Sequence, residues 1–358
     1  MNRRTFIAAV TACCCAGIRH IAAETPGAAS RSGARMVIDG VDRYRVCEPM
    51  FEGVRVILSH RGEKLTPAYI QGISGAAFRI SGICPCAPTC SSQMDTQGLM
   101  KLLGYEFTHI ALGSKGDDVA GKMLSLIPRI RESVRAGRPV LVWHAFTNAE
   151  WDVVAGFDDA EGVFLGRGSY KGMDEYARAK QTRAQDAVNI CPAFGAIFIG
   201  EKTGALDAPA AEIAALKEAV RHARDKKNVD QVGGERWVQL EGLAAYGRWV
   251  DDFGKPTKNR DAGDSYCYNI YRATHRAGSE FLREIAPRHP RASKYLLAAA
   301  ASLLAEADTL DTAGRLLNWD APKSDAKRNE ELVPILARAR DHYAAAIDQV
   351  EKAVGALA

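Results

Sequence analysis

The chain has 358 residues, with 47 Lys and Arg against 43 Asp and Glu and a formal charge of +4. Its basic residues never cluster beyond a few in a row, which excludes nucleic acid as a main partner. After residue 23 no stretch reaches the roughly 18 consecutive apolar residues of a membrane span, so no spanning helix is expected in the mature protein.

The first element is a leader. Met1-Asn-Arg3-Arg4-Thr-Phe-Ile precedes a short, weakly apolar segment ending near Ala22-Ala23, the form of a twin-arginine export signal, which predicts a periplasmic or otherwise exported protein. A frayed cytosolic N-terminus is one alternative. A second is lipidation, since Val10-Thr-Ala-Cys13 has the small-small-Cys form of a lipoprotein cleavage site and would leave a lipid anchor at Cys13. A polar linker follows over 24–35.

Beyond the leader stand Cys47, Cys84, Cys86, Cys90, Cys191 and Cys267, among which an oxidising compartment permits disulfides. Cys84-Pro-Cys86-Ala-Pro-Thr-Cys90 reads either as a soft-metal or redox site or as a Pro-stiffened loop with one disulfide. Its spacing matches no standard zinc site and no His lies nearby, so the loop reading is preferred and no cofactor is implied.

Residues 36–204 read as an α+β domain. A short strand and turn occupy Met36 to Arg45, and a helix runs from Phe51 to His60, closed by Gly62. The stretch Tyr69 to Phe78 carries small residues suited to close packing. A helix over Met94–Leu103 and a strand over Tyr105–Leu112 come next. In the helix from Ala120 to Ala136 the apolar positions are Met123, Leu124, Leu126, Ile127, Ile130 and Val134. Short strands at Val140–Trp143, Glu150–Ala155, Gly162–Leu165 and Cys191–Ile199 predict an antiparallel sheet. From 205 to 358 the pattern is all-α: Pro209–Arg224, Arg236–Phe253, Ser265–Ile285, Arg291–Leu317 with a break, and Asn329–Val354. No strand is expected after Ile199.

In Tyr44-Arg-Val-Cys47-Glu-Pro-Met-Phe a cysteine stands at the head of a helix, where unpaired N–H groups and the positive end of the dipole favour a thiolate. A buried cysteine acting as a small hydrophobe is the alternative.

Cys47-Glu-Pro, Gly137-Arg-Pro-Val-Leu-Val-Trp143 and Glu150-Trp-Asp-Val-Val-Ala-Gly-Phe-Asp-Asp159 together resemble the papain-like fold of bacteriocin-processing cysteine peptidases. Within it they resemble the amino-terminal domain of the butirosin-biosynthesis acyltransferase family. The likeness covers roughly residues 40 to 200. It implies Cys47 as the nucleophile. Where these families place their general-base His, this chain has Glu150. Where papain-like enzymes place an oxyanion-stabilising Gln, it has Val41, Asp42 and Arg43. Where the third catalytic member belongs, Gly166 to Ser169, it offers neither carboxylate nor amide.

Imidazole protonates a leaving amine near neutral pH far better than an ordinary carboxylate does. The preferred expectation is therefore a degenerate domain that binds a peptide or small acyl ligand, with Trp143, Trp151 and Tyr170 lining the site. The alternative is a thiol-dependent acyltransferase or amide hydrolase using Cys47 with Glu150 or His144.

Overall fold

The computed structural model describes residues 34–82, 96–169, 175–225, 228–232, 235–260, 262–322 and 325–358. The export signal, Cys13, most of the linker, the Cys84–Cys90 cluster and Tyr170 lie outside them. In chain order the elements are β1 (Arg35–Val37), α1 (Pro49–His60), α2 (Pro67–Ile73), β2 (Ser81–Gly82), α3 (Thr96–Leu102), β3 (Tyr105–Ile110), α4 (Val119–Arg135), β4 (Val140–Trp143) and β5 (Trp151–Asp158). They continue with β6 (Val163–Arg167), β7 (Ala177–Lys180), β8 (Ala196–Lys202), α5 (Ala208–Arg224), β9 (Asn228–Val232) and β10 (Glu235–Glu241). The last are α6 (Gly242–Phe253), α7 (Ala262–Ile285), α8 (Ser293–Asp311), α9 (Gly314–Leu317) and α10 (Ala326–Leu357). The class is thus mixed α+β, with an antiparallel sheet and a helical C-terminal part.

The chain divides into two compact units. One comprises residues up to 45 with 52–64 and 106–201; the other comprises 46–51, 65–105 and 202–358.

The first unit is built on one sheet in the order β3-β8-β4-β5-β6-β7, with β1 paired to the second half of β5. The pairs β4–β5, β4–β8, β5–β6 and β6–β7 are antiparallel. Every residue of β4 is buried, as are the first seven of β5, which fits the unbroken apolar run of β4 and the run of β5 interrupted by Asp152. Helix α4 covers β4 and β5 through Met123, Leu126, Ile127, Ile130 and Val134. Leu124, expected on that stripe, is 61% exposed, because it sits one position off the i, i+3, i+4 series. Asp118 caps the helix by accepting the N–H of Gly121 at 3.0 Å. The residues of α1 from 52 onward pack tightly on the sheet: a Cβ on Gly53 would lie 2.5 Å from Leu141 Cδ2.

The second unit is centred on α7, buried along most of its length, with α8 and α10 packed against each other and α8 against α7. It also contains strands. β10 pairs with β9 (Val238↔Val229) and with β2 (Leu240↔Gly82), so the expectation of a single helix over Arg236–Phe253 and no strand after Ile199 is corrected. The reason lies in the valines at 229, 232 and 238, which suit a strand, and in Gly242. That glycine has φ +51°, and a Cβ there would meet Ala223 Cα at 2.4 Å, so strand and helix join through a backbone that only glycine accepts. The break expected in the Arg291–Leu317 helix falls between α8 and α9.

Three buried His–Glu pairs tie this unit together: His275 with Glu306 at 2.8 Å, His289 with Glu212 at 2.7 Å and His222 with Glu241 at 3.2 Å. Glu212 also accepts from Tyr69 Oη and Arg288, joining α2, α5 and the turn after α7. Elsewhere in the unit two chain segments touch through glycine. Thr203 and Gly204 both donate their N–H to Gly104 O, at 2.7 and 3.1 Å. A Cβ on Gly104 would lie 2.5 Å from the Gly204 carbonyl carbon.

Candidate functional site

Cys47 is half-buried, two residues ahead of the first helical residue, Pro49. The donors at the head of α1 are taken by its neighbour. Glu48, itself 1% exposed, accepts the N–H of Met50 at 3.1 Å on Oε1 and that of Phe51 at 2.8 Å on Oε2. Gln71 Nε2 donates to the same Oε2 at 3.2 Å. A carboxylate therefore caps the helix end that was expected to favour a Cys47 thiolate. Replacing Glu48 with Gln is expected to raise the rate at which iodoacetamide alkylates Cys47, read by mass spectrometry of the tryptic peptide. An unchanged rate would show that this carboxylate does not set the thiol's reactivity.

His144 and Glu150 belong to the first unit and meet in the loop from β4 to β5. His144 N donates to Glu150 O at 2.7 Å, and His144 O accepts from Arg183 Nη1 at 2.6 Å. Arg183 also donates to Asn148 Oδ1 at 2.5 Å. Two non-glycine residues of this loop, His144 (φ 61°) and Ala149 (φ 50°), lie in the left-handed region, a strained choice for Ala. The His144 ring accepts the Ala149 N–H on Nδ1 at 2.9 Å, which assigns its hydrogen to Nε2. Burial, with the Arg183 charge as a smaller cause, pulls its pKa down to about 3. The ring is thus neutral across the physiological range, with a donor rather than a lone pair on Nε2.

Glu150, where the sequence resemblance places a base, is buried. Trp143 and Trp151, expected to line a ligand site, lie opposite each other in the β4–β5 register, with ring centroids 5.4 Å apart. Phe194 closes on Trp143 at 4.9 Å and His109 on Trp151 at 6.1 Å. Tyr44 Oη donates to Trp151 O at 2.9 Å. Both tryptophans are packed as core, at 1% and 4% exposure.

Sequence reasoning missed Asp152. It points inward from β5, is fully buried, and accepts three backbone N–H groups: Phe146 at 2.6 Å and Thr147 at 2.7 Å on Oδ2, and Ser169 at 2.9 Å on Oδ1. Burial pushes its pKa up to about 6 against the pull of those donors. The 166–169 stretch, which offers no carboxylate of its own, receives this one from the neighbouring strand. The available signal was a lone Asp inside an otherwise apolar strand.

At the position of the expected oxyanion donor stands an anion. Asp42 accepts from Arg45 and Arg55; burial opposes them, yet the two guanidinium groups hold its pKa at about 2. Arg55 bridges onward to the buried Glu52 at 2.7 Å. This cluster braces α1.

Among the described residues no group of three or more His, Cys, Asp or Glu could hold a metal ion, and no helix is long and apolar enough to cross a membrane. No protein-family model matches the chain, and no curated protein matches it.

Proposed function

We propose that this chain is an exported protein whose papain-like domain binds a peptide or small acyl ligand without cleaving it. The observation that carries the reading is the state of His144, the imidazole that shares a loop with Glu150. Its Nδ1 is occupied, its Nε2 carries the hydrogen, and its pKa of about 3 leaves it a poor proton acceptor at neutral pH. The Glu48 cap on α1 supports the same reading, since it places negative charge where a nucleophilic thiolate needs positive. The second reading, a thiol-dependent acyltransferase or hydrolase using Cys47, keeps the buried Glu150 as its supporting observation.

One experiment separates the two. Mixed with p-nitrophenyl acetate, the protein is expected to release p-nitrophenol at the same rate as its Cys47→Ala variant, with no burst. A burst lost in Cys47→Ala, with acetyl found on the Cys47 peptide, would overturn the binding reading and support acyl transfer. Native mass spectrometry of protein taken from the exported fraction is expected to show a bound peptide or acyl mass.

A further inference from the structure

The His144 ring is held so that it can give a hydrogen but not take one. Its Nδ1 lone pair is filled by the Ala149 N–H at 2.9 Å, so the one hydrogen of the neutral ring sits on Nε2. Among the described residues no acceptor meets that Nε2–H, although His144 is only 4% exposed. Buried donors are almost always paired, so this one calls for an acceptor from outside the chain.

Backbone strain is concentrated on holding this ring. Positive φ at both His144 and Ala149 accompanies the return of the Ala149 N–H to Nδ1. Arg183 fixes the same turn by donating to His144 O at 2.6 Å and to Asn148 Oδ1 at 2.5 Å, and His144 N closes it on Glu150 O at 2.7 Å. The turn reaches the surface, with Asn148 exposed and Phe146, Thr147 and Ala149 half-buried.

We infer that His144 is a ligand-binding donor, whose Nε2–H donates to the uncharged carbonyl oxygen of an amide or ester on a bound peptide or acyl group. This role rests on the domain binding such a ligand, as proposed above.

The charge of the acceptor follows from the same hydrogen bond. A carboxylate or thiolate at Nε2 favours the imidazolium, which needs a second hydrogen on Nδ1, and there it would face the Ala149 N–H. A neutral carbonyl makes no such demand. Burial, with the Arg183 charge as a smaller cause, acts in the same direction by pulling the ring's pKa to about 3, so the donor is uncharged across the physiological range. A neutral imidazole can polarise a carbonyl through its N–H without giving up the proton.

Nuclear magnetic resonance of the full chain, labelled uniformly with heavy nitrogen, tests this. Without ligand, the His144 ring is expected to carry its hydrogen on Nε2 and a lone pair on Nδ1 from about pH 5 to about pH 8, and a hydrogen on Nδ1 instead overturns the role. Two probes then supply the carbonyl: N-acetyl-trialanine amide as a peptide and octanamide as an acyl chain. At least one is expected to move the Nε2–H resonance downfield. The variant His144→Asn separates donor from scaffold, since Asn tolerates left-handed backbone and its Oδ1 can accept the Ala149 N–H, while the Nε2 donor is gone. It is expected to bind the same probe roughly tenfold more weakly, the scale of one hydrogen bond. Where that variant does not fold, the wild-type resonance decides. Equal binding by His144→Asn, or Trp143 and Trp151 resonances that move while the Nε2–H stays still, overturns the donor and leaves the binding reading standing. Silence of every resonance with both probes overturns the two together.

Discussion

Glu306→Ala is expected to lower the unfolding free energy by about 3–5 kcal/mol, the sum of two stranded buried donors at about 1–3 kcal/mol each and the cavity left behind. Glu306 is fully buried on α8 and serves two donors: Oε2 lies 2.8 Å from His275 Nδ1, and Oε1 accepts from Tyr246 Oη at 2.9 Å. His275 Nε2 faces Arg79 O at 3.1 Å, so each ring nitrogen meets an acceptor. The imidazole cannot swing to find a substitute. It is stacked between Tyr271 and Tyr343, with centroids 5.8 and 5.3 Å away and planes within 20°. Tyr343 is in turn fixed by its hydroxyl on Phe78 O at 2.8 Å. Glu306→Gln keeps one oxygen acceptor and is expected to cost less, about 1–3 kcal/mol. Replacing His275 and Glu306 together by Leu is expected to recover part of the loss, because the stranded donor goes with its acceptor. Urea unfolding followed by far-ultraviolet circular dichroism reads all three. A Glu306→Ala protein within about 1 kcal/mol of wild type would show the pair to be dispensable.

Gly72→Ala is expected to destabilise by about 3 kcal/mol, with a fall in Tm of roughly 6–12 °C. Alanine is otherwise the better helix former by about 1 kcal/mol, so the expected sign is opposite to propensity. The cause is contact. A Cβ at Gly72 would stand 2.1 Å from Phe281 Cγ and 2.3 and 2.4 Å from the two Cδ atoms, where α2 lies on α7. Phe281 has no room to retreat, being fully buried between Tyr69, at 5.8 Å, and Phe78, at 6.2 Å. Adding Phe281→Leu to Gly72→Ala is expected to restore part of the Tm, since a smaller side chain clears the ring volume. A Tm for Gly72→Ala at or above wild type would show that the ring moves freely and that this packing is loose.

Much of the scaffold is visible in the residues themselves. Val140–Trp143 and Val153–Ala155 are apolar and rich in valine, short enough to read as interior strands, and the apolar stripe of α4 is the side that meets them. What escapes is set by geometry that no local pattern carries. The β9–β10 hairpin was hidden by its place between long helices, and only the left-handed Gly242 separates it from α6. The cap on α1 is a glutamate, not one of the short polar residues usual at that position, so a reading of cap residues passes over Glu48 and credits the helix end to Cys47. The protonation of His144 depends on an N–H five residues away and on an arginine brought from residue 183. Asp152 is an ordinary letter in the sequence. Its meaning comes from Phe146, Thr147 and Ser169 converging on it once the sheet has formed.

The meeting of Gly104 with Thr203 and Gly204 bears on how the polypeptide is made. The chain departs and returns through one point 99 residues apart. Segments 46–51 and 65–105 find their fellows in 202–358, so during synthesis from the N-terminus they wait until that later stretch has left the ribosome. The first unit is under no such delay, because its last residue, Glu201, precedes that stretch. Closing so long an excursion costs little more entropy than closing one half its length, about 0.6 kcal/mol. The two units interleave along the chain, residues 52–64 of the first falling between 46–51 and 65–105 of the second, and the contact at Gly104 closes the longest of these excursions.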